Sequence, residues 1–308
     1  MPNYACWLLN AAPVKKTYTV EEATFDSFKG MDIALFAGGS ISKDFAPHAV
    51  KAGAVVIDNS SAFRMDPEVP LVVPEVNPQA ILKHKGIIAN PNCSTIIMVM
   101  ALKPIYDLAK IKRVIVSTYQ AVSGAGKEGI DELDAQVREH SEGREMTANI
   151  LPSASAEKHY PIAFNLIPQI DVFCDNLYTK EEMKMVNETK KIMEDYEMRI
   201  TATTIRVPVY RSHSESVNIE LEKEVDLGAM REALAKFPGV TVQDDPSKQE
   251  YPMPLYTSEK DDVYVGRLRR DESCEKSYNM WVVGDQIRKG AALNTLQIAE
   301  TMIKNGWI

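Results

Sequence analysis

The stretch MDIALFAGGSISKDFAPHAVKAGAVVIDNS, residues 31–60, changes from a strand pattern to a helix pattern and back again. MDIALFAGG is typical of a buried strand that ends in a glycine turn, SKDFAPHAVKAG of a helix, and AVVIDNS of a second strand. Two such strands joined by a helix form a βαβ unit with a right-handed crossover. The stretch therefore predicts the α/β fold class, with a doubly wound parallel sheet.

The segments on either side extend this pattern over a chain of 308 residues, which is long enough for two domains. A short helix (PQAILKHKG) and a strand (GIIAN) follow, and a long helix begins at Cys93. The character changes near residue 110, beyond which strand-rich segments alternate with polar helices. The segment GAALNTLQIAETMIKNG has apolar residues at helical spacing and predicts a last helix.

Composition excludes several classes of function. The formal net charge is −8 and no dense run of Lys or Arg is present, so binding to nucleic acid or to an anionic membrane has no electrostatic support. The sequence has neither a signal-peptide pattern nor a transmembrane stretch, which predicts a cytoplasmic protein with a small-molecule substrate. The four cysteines lack CxxC spacing, so we expect free thiols and no metal site. They are Cys6, Cys93, Cys174 and Cys274.

One of these cysteines has a distinctive position, in ANPNCSTIIMVMALKPI, residues 89–105. Ser94 and Thr95 are residue types that cap helices, so the apolar helix should start at Cys93. Free backbone N–H groups at a helix N-terminus favour a thiolate over a thiol. From these residues alone, Cys93 is either a nucleophile activated by its position or a buried core thiol.

NPNCST (90–95) before a helix, and RVPVYRSHSES (206–216) later in the chain, together resemble the bacterial form of aspartate-β-semialdehyde dehydrogenase. The similarity extends from about residue 17 to the C-terminus. The supporting segments are LFAGGS, VIDNSSAFRMD, VPLVVPEVN, STYQAVSGAG and GDQIRKGAALNTLQIAE. The resemblance implies NADPH-dependent reduction of L-aspartyl 4-phosphate to L-aspartate 4-semialdehyde and phosphate, a step toward lysine, methionine and threonine.

The resemblance also assigns chemical roles to three residues. It implies that Cys93 forms a thioester with the substrate, a role that suits a thiolate because it both attacks and leaves well. His213 matches the acid/base of the family, and imidazole titrates in the required range. Gln120 matches the amide that orients the acyl intermediate.

Further matches concern the two charged ends of the substrate. Arg206 matches the residue that binds the α-carboxylate, where a guanidinium can donate two parallel hydrogen bonds. Arg64 and Lys184 match the phosphate-binding residues. Glu181 matches the partner of the substrate ammonium group, and its spacing of three from Lys184 places both on one helix face. Asn92 is expected to assist beside the nucleophile.

The resemblance further implies NADP as cofactor and a homodimer that forms through the sheet of the second domain. The domains are then an incomplete doubly wound dinucleotide-binding domain, 1–92 with 290–308, and an α+β catalytic and dimerisation domain, 93–289. The residues expected at the cofactor are Gly38, Gly39, Ser40, Ser123, Gly124 and Asn294.

The strand segment that carries two site residues needs an interruption. Arg206 and His213 are seven positions apart, so on one regular strand their side chains would point to opposite faces. Pro208 cannot donate to a strand ladder and marks a bend or an edge. We therefore predict a break between residues 207 and 212.

The sequence departs from the family at its start, because the glycine-rich GATGxVG turn and the first βαβ half have no counterpart. WLLNAAPVKK (7–16) resembles an altered remnant of the second strand and its loop. Such a turn brings backbone N–H groups to the pyrophosphate, so its loss should weaken NADPH binding and expose an apolar sheet edge.

Three hypotheses follow from this departure. The chain is a working NADP-dependent dehydrogenase with a trimmed cofactor domain, a slow cysteine acyl-phosphate hydrolase that lacks the cofactor, or a non-catalytic subunit of a dimer. A related reductase of N-acetyl-glutamyl phosphate takes an acetylated substrate, and Glu181, matched to a free amino group, argues against that substrate.

Overall fold

The computed structural model of the protein describes residues 19–308, and its first sheet confirms the predicted βαβ unit. Strands β1 (Ile33–Phe36), β2 (Val55–Asp58) and β3 (Ile87–Ala89) are parallel and adjacent in chain order, and helix α1 (Ser42–Lys51) joins the first two. Within the described residues β1 is an edge strand of this sheet. Cys6 and the segment 7–16 lie outside the described residues.

Helix α2 (Cys93–Leu108) follows β3 directly and lies in the largest core of the described chain. Its residues are apolar on nearly all sides, which is typical of a helix surrounded by protein rather than of a surface helix. Eleven consecutive or near-consecutive positions from Ser94 to Ile105 are buried. The buried helix fixes the position of Cys93, its first residue.

The second sheet has six strands in the order β5-β4-β6-β9-β8-β7. The strands are β4 (Ile111–Gln120), β5 (Arg199–Arg206), β6 (His213–Leu221), β7 (Val240–Val242), β8 (Val263–Arg270) and β9 (Ser277–Gly284). Strand β4 pairs parallel with β5 and antiparallel with β6. The helices between these strands are α3 (Lys127–Ser141), α4 (Lys180–Met193), α5 (Leu227–Lys236) and α6 (Pro254–Thr257).

The predicted interruption of the strand at residues 207–212 is confirmed. Strand β5 ends at Arg206 and β6 begins at His213, and the two strands flank β4 from opposite sides. The connection therefore crosses the end of β4, where Gln120 pairs with Arg206. Three predicted site residues, Gln120, Arg206 and His213, therefore lie at the same end of three adjacent strands.

The last helix, α7 (Leu293–Asn305), packs against the first sheet. Its residues Ile298 and Met302 are fully buried and pack in one cluster with Ile57 and Ile88 of β2 and β3. A π-helical turn, Arg288–Ala292, precedes α7. This turn brings the chain past the start of α2.

Two local expectations need refinement. The segment PQAILKHKG forms a 3-10 helix, Pro78–Lys83, rather than an α-helix, and it begins at a proline. The segment DPSKQEYPMPLYTSEKDD (245–262), for which the sequence predicts a long loop, contains a 3-10 turn and the short helix α6. No helix between residues 19 and 308 has both the length and the apolar character that a membrane crossing needs.

Candidate active site

The predicted catalytic residues converge between the start of α2 and the strand ends of the second sheet. Cys93 follows the carboxyl end of β3, and the strand ends of the second sheet carry Gln120, Arg206 and His213. Glu181 of α4 links the two groups, since its Oε1 accepts hydrogen bonds from Asn92 Nδ2 at 2.9 Å and from Gln120 Nε2 at 3.4 Å. The structure thus brings residues of both sheets and of α4 into one site.

Helix α2 begins at Cys93, as predicted, but the capping residue differs from the prediction. Asn92 is the N-cap, and its Oδ1 accepts hydrogen bonds from the backbone N–H groups of Ser94 at 3.1 Å and Thr95 at 3.2 Å. The Oγ atoms of Ser94 and Thr95 are buried without a hydrogen-bond partner. The prediction that Ser94 or Thr95 caps the helix is wrong, because Asn is an equally good N-cap residue and Asn92 precedes them.

The thiol of Cys93 is less acidic than its place at a helix start suggests. Burial raises its pKa to about 12, and the negative charge of Glu181 adds to this effect. The charges of Arg64 and Arg206 and the N–H of Ser94 act in the opposite direction but do not outweigh burial. Its position at the helix start alone therefore does not lower the pKa of Cys93. The residue is half-buried, and its activation as a nucleophile stays a prediction.

His213 is fully buried and held by the backbone. Its Nδ1 accepts a hydrogen bond from the N–H of Ala121 at 3.0 Å, and its Nε2 has no partner within the described chain. Burial, and then the positive charge of Arg206, hold the pKa of His213 well below its ordinary value. A neutral imidazole whose Nδ1 is an acceptor carries its proton on Nε2.

Arg206 lies beside His213, and a glycine provides the space for both. Arg206 Nη1 donates to the carbonyl oxygen of Ala121 at 2.7 Å, while its Nε is buried without a partner among the described residues. A Cβ on Gly124 would lie 2.7 Å from Arg206 Nη1 and 3.3 Å from His213 Cε1. Gly124 was predicted at the cofactor, and the structure places it against these two residues.

Helix α4 presents an ion pair to the site. Lys184 Nζ donates to Glu181 Oε2 at 3.1 Å and to Asp171 Oδ2 at 3.0 Å. Burial opposes the charge of Lys184, yet Glu181 and Asp171 outweigh it and raise its pKa. Burial likewise opposes the charge of Glu181, but Lys184, Asn92 and Arg206 hold its pKa below the ordinary value. Both groups are thus charged at neutral pH, and Asp171 is a partner that the sequence did not reveal.

Arg64 is held by three hydrogen bonds from its guanidinium group. Its Nε donates to the carbonyl oxygen of Asn90 at 2.9 Å, its Nη2 to that of Asn59 at 3.0 Å, and its Nη1 to Glu188 Oε1 at 3.3 Å. Glu188 is 1% exposed, and burial raises its pKa despite the charge of Arg64. Glu188 lies seven positions after Glu181 on the same face of α4, a spacing that could have identified it.

The predicted cofactor residues lie in two places. Gly38, Gly39 and Ser40 follow β1 at the carboxyl edge of the parallel sheet, the edge at which Cys93 also lies, and the φ of Gly39 is 65°. In open parallel sheets ligands bind outside this edge. Binding of a dinucleotide at the glycine turn before α1 stays a prediction, which the small side chains of the turn favour because they admit close approach of a phosphate.

Unlike the glycine turn, Ser123 and Asn294 are buried and hydrogen-bonded to other protein residues. Ser123 Oγ accepts a hydrogen bond from Gln286 Nε2, and Gln286 Oε1 accepts one from the N–H of Ser212 at 2.8 Å. Asn294 is fully buried, and its amide donates to Val72 O at 2.9 Å and accepts from Lys289 Nζ at 2.9 Å. Contact of these two residues with a nicotinamide stays a prediction.

Cys174 is half-buried and Cys274 is exposed, both as free thiols. The residues 19–308 contain no group of three or more His, Cys, Asp or Glu side chains arranged for a metal ion.

Comparison with protein families shows the class of protein to which the chain belongs. Residues 9–84 match the family described as semialdehyde dehydrogenase, NAD binding domain, and residues 102–289 match semialdehyde dehydrogenase, dimerisation domain. The chain is thus a semialdehyde dehydrogenase by class, with a nicotinamide-dinucleotide domain and a dimerisation domain.

Comparison with individual proteins is more specific. The chain is 57% identical to an aspartate-semialdehyde dehydrogenase of Aquifex aeolicus, over 95% of this chain and 86% of that protein. It is 54% identical to one of Bacillus subtilis, over 93% and 83%. A crystal structure of aspartate semialdehyde dehydrogenase II from Vibrio cholerae complexed with ASA superposes with a TM-score of 0.85, at 46% identity over 93% of this chain and 83% of that one. The chain belongs to the aspartate-semialdehyde dehydrogenase family.

Proposed function

We propose that the chain catalyses the NADPH-dependent reduction of L-aspartyl 4-phosphate to L-aspartate 4-semialdehyde and phosphate, a step toward lysine, methionine and threonine. The observation that carries the proposal is the link through Glu181, which joins the turn of Cys93 to Gln120 and Lys184 by hydrogen bonds of 2.9 to 3.4 Å. A nucleophile, cations for two anionic groups and a carboxylate for an ammonium group are what this substrate needs.

In the acylation step, the sulfur of Cys93 attacks the acyl carbon and the bond to the phosphate oxygen breaks, which forms a thioester and releases phosphate. Arg64 and Lys184 bind the phosphate, and Arg206 binds the α-carboxylate through a guanidinium edge that includes its unpartnered Nε. Glu181 binds the substrate ammonium group. The thiol proton leaves with the phosphate or to solvent as the carbon–sulfur bond forms.

His213 acts on the oxygen of the acyl group. Its Nε2–H has no partner in the described chain and lies in the region of Gly124 and Arg206, so it donates to the oxygen that becomes negative. Gln120, whose amide already contacts Glu181, orients the same group. These donors stabilise the charge that develops when the acyl carbon becomes tetrahedral.

NADP is the proposed cofactor, held by the turn Gly38–Ser40 with Ser123, Gly124 and Asn294 on the other side of the site. When bound, the nicotinamide supplies the hydride that reduces the acyl group. The proposed dinucleotide-binding domain comprises residues 1–92 with 290–308, and the proposed catalytic and dimerisation domain comprises residues 93–289. A reduced thiol at Cys93 suits a cytoplasmic enzyme.

We further propose a homodimer that forms through the face of the second sheet opposite α2. That face carries Tyr119 and Trp281 with ring centroids 5.5 Å apart, beside half-buried polar residues of β4 and β9. A sheet face with aromatic side chains is suited to pack against a second copy.

The experiment that tests the activity uses the purified protein with L-aspartate semialdehyde, NADP and phosphate, with formation of NADPH followed by absorbance. We expect phosphate-dependent NADPH formation that Cys93→Ala abolishes. NADPH formation in the Cys93→Ala variant, or none in the folded wild type, would contradict the proposal. Phosphate release from aspartyl phosphate without NADPH oxidation would favour the hydrolase alternative instead.

A further inference from the structure

Glu188 of α4 has two buried hydrogen bonds that the roles above do not use. Its Oε2 accepts from the backbone N–H of Asn92 at 2.6 Å, and its Oε1 accepts from Arg64 Nη1 at 3.3 Å. Arginine–carboxylate pairs are frequently bidentate, with both carboxylate oxygens on the guanidinium. Here the shorter hydrogen bond goes to the residue that precedes the nucleophile.

Asn92 is thereby held by α4 at two points. Glu188 accepts from its backbone N–H, and Glu181, seven positions earlier on the same helix, accepts from its side chain. Asn92 in turn caps the turn of α2 that begins with Cys93. A shift of Glu188 is therefore transmitted to the position of Cys93 through one residue.

Arg64 is also held by α4 at two points. Glu188 orients its side chain, and Lys191, one turn later, donates from Nζ to the carbonyl oxygens of Arg64 at 2.8 Å, Asp66 at 2.6 Å and Val69 at 2.8 Å. The guanidinium has five N–H donors, and the protein occupies three of them through Nε, Nη1 and Nη2. Two donors remain for a ligand.

We propose that Glu188 is a positioning residue that sets the distance and angle between the phosphate-binding guanidinium of Arg64 and the thiol of Cys93. The inference rests on the assignment of Arg64 to the substrate phosphate in the proposed function. Displacement of phosphate from the acyl carbon requires the sulfur and the leaving group on defined sides of that carbon. Misplacement by about 1 Å lowers such rates about a hundredfold.

The carboxylate of Glu188 competes with phosphate for the charge of Arg64. This competition distinguishes a positioning role of Glu188 from a merely structural one, because only the former changes phosphate binding. Removal of the Glu188 charge should leave Arg64 freer to attract phosphate but less well aligned. We therefore expect phosphate affinity to rise and the turnover rate to fall when the charge of Glu188 is removed. Loss of folded protein alone would change neither the phosphate KM nor the kcat per folded molecule.

The test compares Glu188→Gln with wild type at pH 8, with NADP, L-aspartate semialdehyde and inorganic phosphate as substrates. Gln keeps an oxygen for the Asn92 N–H. It places an amide NH2, which cannot accept, beside Arg64 Nη1, so both the charge and this hydrogen bond are lost. We expect kcat to fall about tenfold or more and the phosphate KM to fall about threefold, while the KM for semialdehyde changes less than twofold. An unchanged kcat, or KM values for both substrates that rise together, would overturn the inference.

Two further variants keep the result interpretable. Glu182→Gln is the matched control, because Glu182 is a buried carboxylate of the same helix that bonds only Thr179 and Thr204, so only its melting temperature should change. Lys191→Met loosens the loop of Arg64 without removal of a negative charge, and Lys191 is only half-buried. We expect its kcat to fall and its phosphate KM not to fall. If Glu188→Gln does not fold, a wild-type kcat in Lys191→Met overturns the inference.

A measurement without turnover separates this inference from the proposed function. Inorganic phosphate that binds at Arg64 raises the melting temperature as its concentration rises. We expect a larger increase for Glu188→Gln than for wild type. If the wild type shows no dehydrogenase activity but this difference holds, the proposed function fails and the coupling of Glu188 to the phosphate site stands.

Discussion

The Nδ1 atom of His213 accepts a hydrogen bond from the backbone N–H of Ala121 at 3.0 Å, and this contact fixes which ring nitrogen carries the proton. Since Nδ1 is the acceptor, the neutral ring has its proton on Nε2. A base that takes the thiol proton would need a free lone pair on Nε2. In the proposed function His213 is therefore a donor to the substrate oxygen, and the proton of Cys93 leaves by another route.

Replacement of His213 by Asn tests this assignment. The Oδ1 of Asn occupies nearly the position of Nδ1 and can accept from the N–H of Ala121, whereas no group replaces Nε2–H. We expect kcat to fall by about a hundredfold or more, with little change in the free energy of unfolding at pH 8. His213→Gln, which places an amide near Nε2 but leaves the N–H of Ala121 unpaired, should retain more activity and lose more stability. Equal activities of the two variants would argue against a donor at Nε2.

The pH dependence of stability should also report on His213. Its pKa in the folded protein is well below the ordinary 6.5, so the unfolded chain binds more protons as pH falls below 6.5. The wild type should therefore lose stability relative to His213→Asn from pH 7 to pH 5, by at most about 1.4 kcal/mol per pH unit. Glu215, whose pKa burial raises well above its ordinary value, acts in the opposite direction in both proteins and largely cancels in the difference. Urea unfolding at four pH values would measure the difference in the free energy of unfolding between wild type and His213→Asn. A difference that does not change with pH would contradict the prediction.

Glu181→Gln should affect the nucleophile and the activity in opposite directions. After burial, the charge of Glu181 is the largest contribution that raises the pKa of Cys93. Its removal should lower that pKa and speed alkylation by iodoacetamide at pH 8 several-fold, because one pKa unit changes the thiolate fraction about tenfold. Dehydrogenase activity should fall nevertheless, since the group proposed to bind the substrate ammonium is lost. Slower alkylation would contradict this account, and Glu182→Gln is again the control.

The sequence was sufficient to predict the parallel sheet, the start of α2 at Cys93 and the interruption at 207–212, because each depends on local pattern or on one proline. It could not predict the pKa of Cys93, which depends on burial and on Glu181, a residue distant in the chain. Asp171 was missed for the same reason, since it reaches Lys184 from an irregular segment in which no periodicity is visible.

The substitution Gly124→Ala should impair the site without loss of the fold. The new Cβ would lie 2.7 Å from Arg206 Nη1, so the flexible guanidinium must move while the backbone remains in place. We expect the KM for L-aspartate semialdehyde to rise about tenfold, with a melting temperature close to that of wild type. In an Arg206→Ala background the same substitution should have a much smaller effect, which a double-mutant cycle would measure. An additive cycle would place the effect of Gly124 elsewhere.

Lys289 should contribute strongly to stability because it is a charged side chain with 1% exposure in the contact between the last helix and the first half of the chain. Its Nζ donates to Glu75 Oε2 at 2.5 Å, Gln297 Oε1 at 2.7 Å and Asn294 Oδ1 at 2.9 Å, so all three of its donors are used. Lys289→Met removes the charge, preserves most of the volume and leaves Glu75 without its partner. Breaking a fully buried pair from one side costs about 3 kcal/mol or more. We expect a smaller loss here, because the side chain of Glu75 is 12% exposed and solvent screens the carboxylate that remains. The double variant Lys289→Met with Glu75→Gln should recover part of this loss in urea unfolding, since no charge then remains unpaired. If the double variant is no more stable than the single one, the loss comes from the amide contacts of Asn294 and Gln297 rather than from the charge of Glu75.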